Sequence, residues 1–573
     1  MFTVYNPETT NLTRDTDFNA AMQDLKLTAA ARAVMEKRYL ARDNLGNIIE
    51  TPQQLFHRVA RAVAAADRIF DPAASVVKTA DAFESAMTSF AFLPNTPCLV
   101  NAGRPVGQLA ACFVLPLEDN LESIFQTLKD TALIHRSGGG TGFSFSRIRP
   151  RGDTIFPAFG VSGGPVSFME LFDSATYIID RNQVRPGANM GVLHVSHPDI
   201  EEFIRAKTRR DRLQNFNLSV AVDNRFLESL KNGSTYPLIH CRTGAVLGEK
   251  PAGKIMDMIA ENAWKCGDPG ILFIDRINHA NPTPGLGRIE ATNPCGEQPL
   301  LPFESCTLGS VNLTRFVSGG DIDYAGLEQT VELAVHFLDN VIEINRYPLR
   351  RIEEWSRTNR KIGLGVMGFA DALIMMETPY QSQKALELAE KIMSRIQAAA
   401  QEASADLAEK RGNFPAFEHS IFPASGVKMR RNAALTTIAP TGTISLIAGV
   451  SSGIEPVFAF EMQRRVVDET ISEVHPEYLR CLKEGSEPSA EIFQTAWDVD
   501  PHWHLKIQEA FQKHTDNAVS KTVNFPADAT ITDIRELFEK AAHMELKGVT
   551  VYRDQSRSGQ SLTAYPQRCE KCD

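Results

Sequence analysis

From about residue 91 onward, short apolar runs alternate along the chain with longer amphipathic segments. The runs "ACFVLPL", "GILFID" and "CTLGSVNL" have the length of buried strands, whereas "LEQTVELAVHFLDNVIEI" carries apolar residues at helical spacing. Strands that alternate with helices are typical of an α/β domain with a mainly parallel sheet. The alternation therefore predicts a large α/β domain over residues 91–545.

The two ends of the chain lack this alternation. Residues 1–90 include "TAAARAVMEKRYLARD" and "TPQQLFHRVARAVAAADRIF", whose apolar residues follow helical spacing, and Thr51–Pro52 is a typical helix start. We therefore predict an N-terminal helical region there. Residues 546–573 have no apolar periodicity and are predicted to form a flexible C-terminal tail.

Composition limits the classes of function. The net charge of -10 argues against nucleic-acid binding through a broadly basic surface. No apolar stretch approaches the roughly 20 residues of a membrane span, and the N-terminus lacks the pattern of a signal peptide. Nine cysteines in 573 residues are too sparse for a disulfide scaffold, so we expect a protein of the reducing cytoplasm.

One loop places three polar side chains around a turn. In "ATNPCGEQPL", Asn293, Cys295 and Glu297 alternate with Pro294 and Gly296. Proline excludes a helix interior, glycine permits a sharp bend, and alternate residues of extended backbone share a face. The pattern indicates a loop built around a thiol, with an amide and a carboxylate beside it.

Four further cysteines are candidates for thiol chemistry. Cys112 and Cys306 lie in strand-like segments, where they are either a redox pair or two buried thiols that act as small apolar residues. A disulfide between them would require Cα atoms within about 7 Å. Cys569 and Cys572 form a CxxC in the predicted tail, which suits thiol exchange, half of a zinc site or an inert terminus.

Two segments have features of phosphate-binding loops. "APTGTISLIAG" places the hydroxyls of Thr441, Thr443 and Ser445 around a glycine, and "HRSGGGTGFSFSRIRPRGD" follows a glycine cluster with arginines. Neither is a Walker P-loop, because no Gly-Lys-Ser/Thr follows. Each signal alone is weak.

Taken together and in this order, the motifs resemble the large catalytic chain of ribonucleotide reductases. They run from "PNTPCLVNAG" to "VYRDQSR" and include "ACFVLPLEDNLESI", "SGGGTGFSFSRIRP", "NPCGEQPL", "NRKIGLGVMGFADAL" and "TDNAVSKTVNFP". The resemblance implies a ten-stranded α/β barrel with a central finger loop that carries Cys295. It also implies an enzyme that reduces ribonucleotides to 2′-deoxyribonucleotides.

The resemblance assigns roles to the loop. Cys295 would become a thiyl radical that abstracts the ribose 3′ hydrogen, Glu297 would take the 3′-hydroxyl proton, and Asn293 would hydrogen-bond the substrate. Pro294 and Gly296 would shape the loop so that the sulfur lies sheltered in the barrel centre.

The same resemblance makes Cys112 and Cys306 the reducing pair. One protonates the departing 2′-hydroxyl, which leaves as water, and both finish as a disulfide. Cys569 and Cys572 would reduce this disulfide as a redox shuttle, before thioredoxin or glutaredoxin resets them.

Nucleotide-binding residues follow from the resemblance as well. The substrate-binding positions are Thr96, Ala111, Gly140, Thr441, Gly442, Thr443, Ile444 and Ser445. Asp119 and Arg149 match contacts to an allosteric effector, ATP or a deoxynucleoside triphosphate. The segments 180–189 and 207–217 resemble the two loops that couple effector identity to substrate choice. A homodimer follows from analogy alone, and a diphosphate or a triphosphate substrate fits equally.

Members of this family differ in how the radical is made. The class with a separate metal-containing subunit has adjacent tyrosines where Thr550 and Val551 stand here, beside a single Tyr552. No glycyl-radical loop is present, so the chain resembles the adenosylcobalamin-dependent class, with the large subunit of the metal-containing class as the alternative. Asp500 and His502 lack the glycine of the common cobalamin-ligating motif, and no metal site is predicted.

Overall fold

The computed structural model describes residues 25–155, 160–180, 187–209, 212–466, 469–556 and 562–564. The helices before and within the first half of the fold are α1 Ala29–Val34, α2 Pro52–Ala64, α3 Asp67–Phe70, α4 Val76–Thr88, α5 Thr96–Asn101, α6 Leu121–Arg136, α7 Gly164–Asp180, α8 Ile200–Ile204, α9 Asn224–Lys231, α10 Ala252–Cys266 and α11 Ile274–His279. The later helices are α12 Tyr324–Ile344, α13 Arg350–Asn359, α14 Phe369–Met375, α15 Gln383–Arg411, α16 Gly442–Ala448, α17 Pro476–Lys483, α18 Pro501–Gln512 and α19 Ile531–Ala542.

The strands in the first half of the chain are β1 Phe92–Pro94, β2 Cys112–Val114, β3 Gly140–Ser144, β4 Thr154–Ile155, β5 Gly160–Val161, β6 Asn189–His194, β7 Phe216–Val222, β8 Thr235–Ile239, β9 Val246–Pro251 and β10 Gly270–Phe273. Those in the second half are β11 Ala291–Thr292, β12 Pro299–Leu300, β13 Ser305–Asn312, β14 Val317–Ser318, β15 Asp321–Ile322, β16 Ile362–Met367, β17 Glu461–Val466, β18 Glu469–Val474, β19 Thr522–Phe525, β20 Gly548–Arg553 and β21 Leu562–Ala564.

A ten-stranded sheet forms the centre of the molecule. Its order is β1-β13-β2-β3-β6-β7-β10-β20-β19, and β16 pairs with the other side of β13. Strands β2, β3, β6, β7 and β10 are mutually parallel, whereas β13 and β20 border them in antiparallel pairs. Bridges from Leu364 to Thr436 and from Ile438 to Val519 connect β16 to the segment just before β19 and close the sheet into a barrel.

The hairpin β11–β12 lies inside this barrel, and glycines on the barrel strands make room for it. A Cβ on Gly142 would lie 1.7 Å from the carbonyl oxygen of Thr292, and one on Gly363 would lie 2.7 Å from the side-chain nitrogen Nε2 of Gln298. Only glycine permits so close a backbone approach. The predicted ten-stranded α/β fold with an inner finger loop is therefore confirmed.

The N-terminal helices pack on the outside of the barrel. Apolar residues of α2 and α4 share one buried cluster with β1, α12 and α15. A second cluster fills the layer between β3, β6, β7 and β10 and their helices, and a third surrounds the finger loop within the barrel. In the part of the chain that the structure describes, no helix has the length and apolar composition that a membrane crossing needs.

One predicted boundary is wrong. The tail was predicted to start at residue 546, but Gly548–Arg553 forms β20, between β10 and β19 in the central sheet. Val549 and Val551 are buried on one face while Thr550 points outward, so this stretch has the two-residue period of a strand. The remaining domain boundaries stay predictions.

Candidate active site

Hydrogen bonds within the finger loop hold it in shape. Asn293 donates from its backbone nitrogen to the carbonyl of Gln298 at 3.1 Å, and its side-chain oxygen accepts from the nitrogen of Gln298 at 2.9 Å. Gly296 lies at φ +84°, a left-handed conformation that favours glycine. Its nitrogen donates to the carbonyl of Asn293 at 3.1 Å. The turn therefore fixes Asn293 and Glu297 on either side of Cys295.

Two of the three predicted polar groups of the loop, Asn293 and Glu297, meet a cysteine from the barrel wall. The side-chain nitrogen of Asn293 lies 3.1 Å from the sulfur of Cys112, and that sulfur lies 3.9 Å from a carboxylate oxygen of Glu297. Asn293 and Glu297 are buried. The structure thus brings an amide, a carboxylate and a thiol into one buried cluster.

Cys112 and Cys306 face each other directly on adjacent strands. They are paired residues in the antiparallel ladder between β2 and β13. Such pairs have Cα atoms about 4.5–5.5 Å apart, inside the roughly 4.4–6.8 Å range of disulfides. Burial raises the pKa of Cys306 well above its usual value, so its thiol keeps its proton. The register allows both thiols to act as one two-electron donor.

Cys295 itself is exposed, so the prediction that its sulfur lies sheltered in the barrel centre is wrong. The residue lies at the apex of the turn, between the buried side chains of Asn293 and Glu297. Its side chain lies on the wall of a cleft of about 640 Å³ that Cys112, Asn293 and Glu297 also line. The sulfur is therefore next to the buried cluster but is reachable from the cleft.

Most of the predicted substrate-binding residues line the same cleft. They are Thr96, Ala111, Gly140, Thr441, Gly442, Thr443 and Ile444. Thr441 lies at φ +55°, and its hydroxyl oxygen accepts a hydrogen bond from the nitrogen of Gly453 at 2.7 Å. Ser445 is buried behind the cleft, where its hydroxyl lies 3.1 Å from that of Ser452. The predicted phosphate loop therefore reaches the cleft through residues 441–444.

The two predicted effector residues contact each other. The guanidinium of Arg149 lies 2.8 Å from the carboxylate of Asp119, and the backbone nitrogen of Arg149 donates to the same carboxylate at 3.1 Å. Sequence analysis missed Arg242, whose guanidinium lies 3.7 Å from Asp119. It comes from the turn between β8 and β9, and no local motif marks it. Residues 181–186 and 210–211 of the two predicted coupling loops lie outside the described residues.

A second cavity of about 580 Å³ lies across α16 from the cleft. Phe458, Met462 and Tyr552 are among its apolar and aromatic lining residues. His475 also lines it and contacts Asp371, with 2.8 Å between the ring nitrogen Nε2 and a carboxylate oxygen. Burial alone would raise the pKa of Asp371, but hydrogen bonds, chiefly from His475, hold this pKa below its ordinary value.

Two residues that line this second cavity each carry a polar atom with no hydrogen-bond partner among the described residues. The two atoms are Nδ1 of His475 and Oγ of Ser451, both buried. Buried polar atoms in native proteins are almost always paired, so the cavity has the chemistry of a ligand site. Cys569 and Cys572 lie outside the described residues. Within the described residues, no group of three or more potential metal-ligating side chains occurs.

Comparisons with known proteins agree with this geometry. Residues 110–430 and 426–552 match the family described as the ribonucleotide reductase barrel domain, and residues 25–107 match the ribonucleotide reductase all-alpha domain. A vitamin B12-dependent ribonucleoside-diphosphate reductase of Mycobacterium tuberculosis is 46% identical over 94% of this chain and 81% of its own length. The enzyme of the same name from Thermoplasma acidophilum is 43% identical over 98% of this chain and 84% of its own length.

A relative whose name does not mention vitamin B12 is more distant. The ribonucleoside-diphosphate reductase subunit alpha of Chlamydia muridarum is 28% identical over 89% of this chain and 58% of its own length. The family matches extend from residue 25 to residue 552 and include the finger loop, the facing cysteines and the cleft. The chain therefore belongs to the ribonucleotide reductase large-chain family.

Proposed function

We propose that this chain is an adenosylcobalamin-dependent ribonucleotide reductase, which converts ribonucleoside diphosphates to 2′-deoxyribonucleotides and so supplies DNA precursors. The observation that carries the proposal is that two cysteines line one cleft and a third is paired with one of them. Cys295 and Cys112 line the cleft, Cys112 lies beside Asn293 and Glu297, and Cys306 pairs with Cys112 across the sheet.

Each side chain has a defined part in the reaction. The thiyl radical of Cys295 takes the 3′ hydrogen of the ribose, and Glu297 takes the proton of the 3′-hydroxyl. A thiol of the pair Cys112 and Cys306 protonates the 2′-hydroxyl, which leaves as water. The pair supplies two electrons and becomes a disulfide. The Cys295 thiol then returns its hydrogen to C3′, which restores the 3′ C–H bond and leaves the thiyl radical on Cys295. Asn293 holds the substrate by hydrogen bonds.

The residues that line the second cavity fit the proposed cofactor. When bound, adenosylcobalamin supplies the one-electron oxidation of the Cys295 thiol. Phe458, Met462 and Tyr552 would contact its apolar faces, and the unpartnered atoms of His475 and Ser451 would meet its polar groups. The exposure of Cys295 suits an oxidant that is not part of the chain, because such an oxidant must approach through the cleft.

The alternative is the same reaction with a separate metal-containing subunit. The tyrosine pair of that class is absent, since Thr550 and Val551 stand in its place. Two relatives named for vitamin B12 dependence are 46% and 43% identical over more than nine tenths of this chain, whereas the subunit alpha is 28% identical, as is a more distant relative named for vitamin B12 dependence. Both observations favour the cobalamin-dependent reaction.

One anaerobic assay tests the proposal. The purified chain, a ribonucleoside diphosphate and a small dithiol are expected to give deoxynucleotide when adenosylcobalamin is added, and none above background without it. Hydroxocobalamin, which lacks the adenosyl group, is the matched control and should not support the reaction. Activity that requires an added metal-containing subunit and ignores adenosylcobalamin would instead establish the alternative.

The reductant and the effectors complete the proposal. Cys569 and Cys572 pass electrons from thioredoxin or glutaredoxin to the disulfide of Cys112 and Cys306, because a dithiol can attack a disulfide and resolve the mixed species. ATP or deoxynucleoside triphosphates bind near Asp119 and Arg149 and change substrate preference. The guanidinium groups of Arg149 and Arg242 beside one carboxylate support a site for effector phosphates.

A homodimer through α6 and α7 is part of the proposal. The two helices pack together, and large apolar side chains on them face outward: Leu121 is 63% exposed, Phe125 53%, Tyr177 53% and Ile178 71%. Leu121 and Phe125 lie in the first turns of α6, and Tyr177 and Ile178 lie in the last turn of α7. Exposed apolar side chains along a packed helix pair are typical of protein interfaces. The surface lies beside Asp119, which immediately precedes the cap residue of α6.

This surface gives a prediction about oligomeric state. The double change Phe125→Glu and Ile178→Glu should convert a dimer into a monomer, because it places two carboxylates in an apolar contact. Sedimentation velocity measures the mass. Leu482→Glu on α17, where the side chain is 47% exposed, is the matched control and should leave the dimer intact. A monomeric wild-type chain, or a double variant that stays dimeric, would contradict this assignment.

A further inference from the structure

His135 lies in the last turn of α6 and is completely buried. Its side chain does not line the cleft, although Arg136, Ser137 and Gly138, which follow it directly, do. Its Nε2 lies 3.0 Å from the hydroxyl of Thr141, a residue of β3 next to Gly140. A buried imidazole is therefore connected to the cleft wall without being part of it.

The hydrogen bonds that start at His135 all run in one direction. Thr176 on α7 donates to the carbonyl of Phe172 at 2.8 Å, so its hydroxyl oxygen accepts from Nδ2 of Asn189 at 2.9 Å. The side-chain oxygen of Asn189 then accepts from the hydroxyl of Thr141 at 2.8 Å. Since that hydroxyl has given its proton to Asn189, it must accept from Nε2–H of His135.

This direction fixes the tautomer of His135. With the proton on Nε2, Nδ1 carries a lone pair and can only accept. Burial lowers the pKa of His135 to about 4, so the ring is neutral at physiological pH. Nδ1 has no hydrogen-bond partner in the described ranges of the chain.

Nδ1 faces the end of the segment 180–189. A Cβ on Gly187 would lie 2.6 Å from Nδ1, so the backbone of residue 187 rests directly on the imidazole. The next residue, Ala188, lines the cleft, and its carbonyl accepts from the nitrogen of Thr141 at 3.0 Å. The chain of hydrogen bonds thus holds residues 187–189 against β3, where the substrate-binding residue Gly140 lies.

The series of hydrogen bonds ends on two helices, α6 and α7, that connect it to the predicted effector residues. α6 begins directly after Asp119 and Asn120 and, with 16 residues, is roughly 24 Å long. Its C-terminal end carries His135, and α7, which packs against it, carries Thr176. Two packed helices therefore connect the predicted effector residues to the buried chain beside the cleft.

We propose that His135 is a positioning residue for substrate choice, which transmits effector binding from α6 and α7 to the cleft wall at Gly140 and Ala188 through Thr141 and Asn189. The inference rests on the effector site of the proposed function. Coupling of this kind requires a physical connection whose arrangement both sites bias, and this chain of side chains is such a connection.

The test compares variants that interrupt this series of hydrogen bonds with a variant that leaves the series intact. Thr141→Val keeps the shape of the side chain and removes the relay hydroxyl, and His135→Leu removes its first donor. His135→Gln keeps a nitrogen donor near the position of Nε2. Thr131→Val is the matched control, because Thr131 is a buried hydroxyl on the same helix that donates only to the carbonyl of Thr127. Each protein is assayed as the full chain with adenosylcobalamin.

The readout is the ratio of kcat/KM for two ribonucleotides, measured with and without each of ATP, dATP, dGTP and dTTP. In Thr141→Val and His135→Leu, the effector-induced change of this ratio should fall to less than about a fifth of that in the wild type. Turnover without effector and the Kd of the effector should each stay within about threefold of wild type. His135→Gln should restore most of the change, and Thr131→Val should behave as wild type.

The outcomes separate this inference from the proposal on which it rests. Wild-type preference that ignores all four nucleotides would overturn the effector site and, with it, the role of His135. A responsive wild type whose Thr141→Val and His135→Leu variants respond equally well would overturn the role of His135 alone. Equal loss in Thr131→Val would do the same, because it would indicate a general effect of altering α6.

Discussion

Replacing Cys295 with serine is expected to abolish deoxynucleotide formation. The hydroxyl of serine has a much stronger bond to hydrogen than a thiol has, so the variant forms no radical that abstracts the ribose 3′ hydrogen. Removing a group through which a reaction passes costs on the order of 10⁴–10⁶ in kcat. We expect turnover of Cys295→Ser to be below the detection limit of a radiolabelled nucleotide assay.

The same change should leave substrate binding nearly intact. Cys295 is one of many residues on the cleft wall, and Thr441, Gly442 and Thr443 of the phosphate loop also line this cleft. The Kd of a ribonucleoside diphosphate, measured by equilibrium dialysis, should change by less than about threefold. The split between binding and turnover distinguishes loss of chemistry from loss of structure.

A matched control is available on α17. Cys481 is partly buried there and does not line the cleft, so Cys481→Ser should keep wild-type turnover. Measurable turnover in Cys295→Ser, with product that contains no 2′-hydroxyl, would contradict the thiyl mechanism. Loss of turnover in Cys481→Ser as well would show that the assay reports general damage by cysteine replacement.

The local parts of the site could be predicted from the sequence because single motifs carry them. Pro294 and Gly296 restrict the backbone around Cys295, so the turn follows from local conformational preference. The meeting of Asn293 and Glu297 with Cys112 followed only from resemblance, since it depends on how a hairpin enters a barrel. That geometry required Gly142 and Gly363 on strands distant in sequence, which no local pattern connects.

Features that depend on several elements could not be predicted. The exposure of Cys295 depends on which barrel residues surround the tip of the hairpin, and Arg242 approaches Asp119 from a hairpin with no motif of its own. Gly548–Arg553 was missed for another reason. Its alternation covers only Val549 and Val551, too short to stand out beside a polar tail, and pairing with β10 and β19 decides its structure.

Replacing Cys306 with serine should stop turnover with every external reductant. The antiparallel register places Cys306 opposite Cys112, so the variant keeps one thiol and loses the second electron of the pair. We expect kcat to fall by at least about 10³-fold with thioredoxin and with a small dithiol alike, because no disulfide can form across the sheet. Burial of Cys306 makes serine there a buried hydroxyl, so circular dichroism should first establish that the variant is folded.

Comparison with the tail separates the two dithiols. Cys569→Ser with Cys572→Ser should lose thioredoxin-driven turnover but keep turnover with a small dithiol that enters the cleft, since that variant retains Cys112 and Cys306. A reaction without external reductant tests the pair directly. Wild-type enzyme given substrate and cofactor but no external reductant should form deoxynucleotide and a disulfide that peptide mapping locates at Cys112 and Cys306, whereas Cys306→Ser should form neither. Dithiol-driven turnover of Cys306→Ser at the wild-type rate would exclude the pair as the immediate reductant and leave the facing thiols as packing.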